Sequence, residues 1–106
     1  MAADIARLVH EGALVDAWDR HARGERGAFT ERLYTPAGQA SFAEIRRRYD
    51  ADAAFRGTVD RYLGEFERLL RGAGEGDAGA ARVRGIVDSA TGKVYVLLAH
   101  AAGRLV

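Results

Sequence analysis

Apolar residues in the first quarter of the chain recur at helical spacing. Ile5, Leu8, Val9, Gly12, Val15, Trp18 and Ala22 fall on one stripe, three and four residues apart, and predict a helix over 4–23. Asp4 is placed to cap it and Gly24 to end it. A shorter helix is expected over 28–33, before Thr35-Pro36 interrupts, because proline disfavours helical geometry in the residue before it. Ser41-Phe42-Ala43-Glu44 then has capping-box spacing, with Phe42, Ile45 and Tyr49 following on one face. A longer run, Phe55, Val59, Tyr62, Phe66 and Leu69, is broadened by Leu63 and Leu70 and predicts a core-facing helix over 53–71. The two stripes are out of phase, so the chain is expected to turn near Asp50-Ala51-Asp52, where aspartate serves as an N-cap. These two segments should form the centre, with helix 4–23 packed across them.

Gly72 to Gly79 carries four glycines in eight residues and two acids, with no bulky apolar group. It reads as a flexible connection between a helical part, 1–71, and a C-terminal part, 80–106. The latter supports two readings. Residues 80–90 form a short helix, and Ser89 or Thr91 caps a final helix through Val94, Leu97, Leu98, Ala101 and Leu105. Alternatively, residues 82–98 form a β-hairpin around Asp88 to Lys93. The helical propensity of Ala99-His100-Ala101-Ala102 favours the first. The expected fold is therefore all-α, a bundle of four or five helices, with α+β as its alternative.

Composition narrows the function. The 106 residues suit a single domain over 1–106. Of the hydrophobic residues 21 are alanine, so the bulky core is thin for this length. The absence of cysteine excludes disulfides, thiolate metal sites and cysteine nucleophiles, and is compatible with a cytoplasmic location. No apolar run approaches the ~20 residues a membrane helix needs, and no basic start with an apolar core reads as a secretory signal. Lys and Arg number 16 against 15 Asp and Glu, and residues 1–71 are neutral, which argues against a basic nucleic-acid binder.

The candidate chemistry is sparse. His10 and His21 are about three helical turns apart, too far to share a metal, and read as surface histidines. His100 reads as a helix-face histidine making one hydrogen bond. A phosphotransfer histidine would need its following glycine one position later than Gly103. Asp50 and Asp52 read as caps rather than ligands. The chain has no P-loop, GxGxxG or GxSxG motif. The aromatic residues read as core.

Two surfaces remain. Arg46, Arg47 and Arg48 form the one basic run; with Arg56 they suggest a helix-turn-helix-like DNA-binding regulatory domain. Against it, the outer face of 53–71 mixes four bases with three acids, and Arg61–Glu65 and Glu67–Arg71 are spaced to neutralise each other. Gly57 and Gly64 are seven apart on that helix, and each costs about 1 kcal/mol relative to alanine. Aligned small residues let another backbone approach. The favoured expectation is a non-catalytic interaction or self-association module, with Gly57, Arg61, Gly64 and Arg68 as its contact face. Its partner would be a protein, a second copy of the chain included. No catalytic, cofactor or metal-binding residue is assigned, and neither nucleic acid nor a membrane is the expected partner.

Overall fold

In the computed structural model, residues 7–10 and 12–105 are described. Among them are five α-helices: α1 (Ala13–Ala22), α2 (Pro36–Ala51), α3 (Ala53–Ala73), α4 (Gly79–Asp88) and α5 (Ala90–Ala101). A single 3₁₀ turn, Glu31–Leu33, precedes α2. The fold is all-α, and the hairpin alternative over 82–98 is replaced by α4 and α5.

The first helix is shorter than expected. Residues 1–6, with Asp4 and Ile5, lie outside the described residues. Val9 forms an antiparallel bridge with Tyr34, and Gly12 takes a left-handed conformation (φ 75°) immediately before α1. The His10 amide donates to the Leu33 carbonyl and the Thr35 amide to that of Leu8, so this stretch bonds across the chain rather than along it. With the helix starting at 13, its buried face is Leu14 and Ala17, not the Val15–Trp18 stripe. Its end is as expected: the Gly24 amide donates to His21 and the Glu25 amide to Arg20, which is a Schellman motif around Gly24.

α2 begins at Pro36, five residues before the capping box. Thr35 is its N-cap, accepting from the Gly38 amide, and Pro36 occupies the first turn, where a missing N–H costs nothing. Ser41 is an interior helical residue, so it caps nothing. The turn at 50–52 contracts to one residue. Asp52 ends α2 and caps α3, its carboxylate accepting from the Phe55 amide.

The core is not centred on α2 and α3 alone. Between Val94 and Ala99, α5 carries no charge, and it buries Tyr95, Val96, Leu97, Ala99 and Ala101. A helix apolar on nearly all sides belongs inside a bundle, and α5 packs against α2, α3 and α4 together. α1 packs mainly on α4, not across the α2–α3 pair. On α3 the buried stripe is Val59, Leu63, Phe66 and Leu70, while Leu69 stays 55% exposed. Phe66 stacks on Tyr95 with ring centroids 4.6 Å apart. Leu63 and Val96 are wholly buried, worth about 2 kcal/mol each.

α3 runs through Gly72 and Ala73 of the glycine-rich stretch, and Gly79 opens α4. Gly76 turns the chain at φ 81°. Arg82 reaches back from α4 to the carbonyls of Ala73 and Glu75. Ser89 caps α5 through the Gly92 amide, as expected.

Candidate functional site

The arginines of the basic run face outward from α2, and three of the four in that surface are engaged within the fold. Arg47 pairs with Glu44, its Nε 3.0 Å from the carboxylate. The Arg48 guanidinium lies 4.4 Å from the Phe55 ring centroid. Arg56 donates to the carbonyls of Tyr49 and Asp50, both at 2.9 Å, and so satisfies the open end of α2. Arg46 stands apart, beside His100.

The four residues of the expected contact face lie on the side of α3 away from Val59, Leu63, Phe66 and Leu70. Gly57, Arg61 and Arg68 are exposed and Gly64 is half-buried. A methyl group placed on either glycine would meet nothing within 4 Å. The expected Glu67–Arg71 pairing is displaced: Glu67 instead accepts from Arg104 at 2.7 Å and from the Tyr95 hydroxyl at 3.2 Å.

The densest constellation surrounds His100. Phe29 and Tyr34 descend from the segment after α1, Phe42 comes from α2, and the imidazole from α5. Ring centroids lie 4.6 Å (Phe42), 5.7 Å (Tyr34) and 6.1 Å (Phe29) from that of His100. The Tyr34 hydroxyl and His100 Nδ1 are 2.7 Å apart. Tyr34 is 1% exposed and burial pushes its phenol well above the usual range, so the hydroxyl keeps its proton. Donation into Nδ1 leaves no buried O–H unsatisfied, and it matches the neutral imidazole tautomer that carries its hydrogen on Nε2. Burial, and then the Arg46 charge, hold the His100 pKa below its ordinary value, against a smaller opposing pull from Glu31.

Nε2 has no partner among the described residues, and no buried side-chain nitrogen or oxygen there is left unpaired. It therefore reaches solvent. His100 lines a groove of about 640 Å³ with Arg26, Phe29, Arg46 and Leu105. A second groove, about 630 Å³, runs between α1 and α4 and holds Asp16, Asp19 and Asp88 against Arg84 and Lys93. There Arg84 pairs with Asp19 at 3.3 Å.

His100 meets its expected description, one hydrogen bond from a helix face, but its partners were not visible in sequence. Tyr34, Phe29 and Arg26 sit in irregular chain, where no periodicity marks which way a side chain points. The one local signal was Tyr34 standing directly before the Thr35-Pro36 helix start. His10 is exposed, whereas His21 is half-buried with its ring 5.4 Å from Phe29 and 5.8 Å from Trp18. Among the described residues no three His, Asp or Glu side chains converge as metal ligands, and no helix is long and apolar enough to cross a membrane.

Compared with known proteins, the chain matches no family model, no curated protein and no solved structure.

Proposed function

We propose that this protein is a non-catalytic helical interaction module, working in the cytoplasm, whose partner is a protein and most simply a second copy of itself. The observation that carries the reading is the open space over Gly57 and Gly64. Two glycines inside a 21-residue helix cost about 1 kcal/mol each relative to alanine. The fold makes no use of the room they leave. A backbone approaching that face would use it, and Arg61 and Arg68 stand on the same face to engage acidic groups of the partner. Leu69, exposed on the neighbouring side of the same helix, would add apolar contact.

The test is oligomeric state by light scattering across micromolar concentrations. Wild type should associate, and replacing Gly57 and Gly64 together with leucine should abolish association. A strict monomer throughout removes self-association; unchanged association in the double variant removes the glycine face.

The helix-turn-helix-like alternative has less support. That motif joins its helices by a turn of about three or four residues, where α2 and α3 meet at Asp52 alone. Arg47, Arg48 and Arg56 already have partners inside the fold. A salt-dependent mobility shift on generic duplex DNA would revive it; no binding at low salt eliminates it, since the phosphate attraction is strongest there.

A further inference from the structure

We propose that the groove beside His100 is a binding site for a small organic anion, with the charged head held by Arg26, Arg46 and His100 Nε2–H and the apolar body resting on Phe29 and Leu105.

The chain as a whole is nearly neutral, at +1, yet among the described residues this groove is lined by two arginines and a histidine and by no carboxylate. The contrast with the α1–α4 groove, where three acids face two bases, shows that the segregation is local. Neither Arg26 nor Arg46 has a carboxylate partner among the described residues, so both are available to an incoming anion. The imidazole is pre-set for the same task. Tyr34 occupies Nδ1, the aromatic packing fixes the ring plane, and the solvent-facing nitrogen is a hydrogen-bond donor. A donor held rigidly in place loses little freedom when it binds. Phe29 and Leu105 are both buried core residues that present an edge to the groove, which gives an organic anion an advantage over an inorganic one.

Charge also sets the direction of the pH response. Arg46 of α2 opposes the protonation of His100, Glu31 of the 3₁₀ turn favours it, Arg26 lines the same groove, and Tyr34 is neutral. A bound anion adds negative charge next to the imidazole and raises its pKa. Binding is then stronger at acid pH and weakens as pH rises through the bound-state midpoint.

The experiment titrates phenyl phosphate into the full chain while NMR follows the His100 ring C–H signals. We expect a saturable shift and a higher His100 titration midpoint in the complex. Inorganic phosphate should bind several-fold more weakly, and benzyl alcohol should leave the signals unmoved. The variants R26Q and R46Q replace exposed side chains; each should lower phenyl phosphate affinity about tenfold, the loss of one charge-assisted contact. A shift that does not saturate, inorganic phosphate binding as tightly as phenyl phosphate, or a double R26Q/R46Q variant with wild-type affinity each overturns the proposal.

Discussion

A methyl group added at Gly38 would overlap the Leu8 carbonyl, and one at Gly92 the carbonyl of Ile86, whereas at Gly57 or Gly64 it would meet nothing. The same substitution therefore has opposite signs at different sites. Gly38→Ala must push the 7–10 segment off α2 and should destabilise by about 1–3 kcal/mol, as overpacking does. Gly57→Ala and Gly64→Ala relieve backbone entropy without a clash and should each stabilise by up to about 1 kcal/mol in the dilute protein. Urea unfolding of the three variants tests this; a Gly38→Ala protein as stable as wild type would refute the close approach. His100 gives a second residue-scale expectation. Its folded-state pKa lies below the ordinary value of about 6.5, so the native protein binds fewer protons than the unfolded chain in that interval. The stability it contributes is complete above about pH 6.5 and is lost as pH falls toward the folded-state midpoint. Unfolding free energy should decline as pH falls below about 6.5, and H100Q should flatten the decline. The same slope in both proteins would assign it to other groups.

At the level of the element, caps decide where helices begin. Ser89→Ala and Asp52→Ala each remove an oxygen that accepts a backbone N–H and should cost about 1 kcal/mol. Ser41→Ala should cost nothing, because Ser41 lies inside α2. Thermal melts of the three variants separate the cases, and a loss at Ser41 equal to that at Ser89 would contradict the observed start of α2. Asp52, Ser89 and Gly24 were all legible in the sequence because each acts through neighbours within a few residues. Pro36 was legible too, but it carries two opposed meanings: it disfavours helix in Thr35 and favours helix from its own position onward. The second prevails here because Thr35 supplies the cap. The start of α1 was not legible. It depends on Val9 pairing with Tyr34, a contact that periodicity along one segment does not encode. The spacing predicts the buried stripe of α3 to within one position: Val59, Leu63, Phe66 and Leu70 are buried, whereas Leu69 is exposed.

For the whole molecule, the helical class and a count of four or five helices are legible in the sequence, but not the arrangement of the five found among the described residues. α5 takes the centre because its middle bears no charge, a property visible in the chain but less conspicuous than the longer amphipathic run of α3. The thin stock of bulky residues suffices because glycine and alanine let backbones close up at Gly38, Gly79 and Gly92. The segment after α5 is bound into this arrangement. The Gly103 and Arg104 amides close α5 in a Schellman motif, donating to His100 and Ala99. Arg104 then reaches Glu67, and lies 3.7 Å from Asp60, which accepts the Tyr49 hydroxyl. The candidate anion groove was invisible for the same reason as the arrangement: its walls come from three segments far apart in sequence.

Tyr34 bonds through its backbone environment to the segment at 7–10 and through its hydroxyl to a residue 66 positions onward. Contacts of that span form only after much chain has been ordered, whereas α2–α3 and α4–α5 are joined by short turns and can assemble locally. The N-terminal third should accordingly behave as a separate cooperative unit that opens while the remaining helices stay closed. In native-state hydrogen exchange, the amides of His10 and Thr35 should exchange through an opening of lower free energy than those of Leu63 and Val96. Equal protection across all four would mean instead that the chain folds and unfolds as one piece, with Tyr34 as its keystone rather than its last closure.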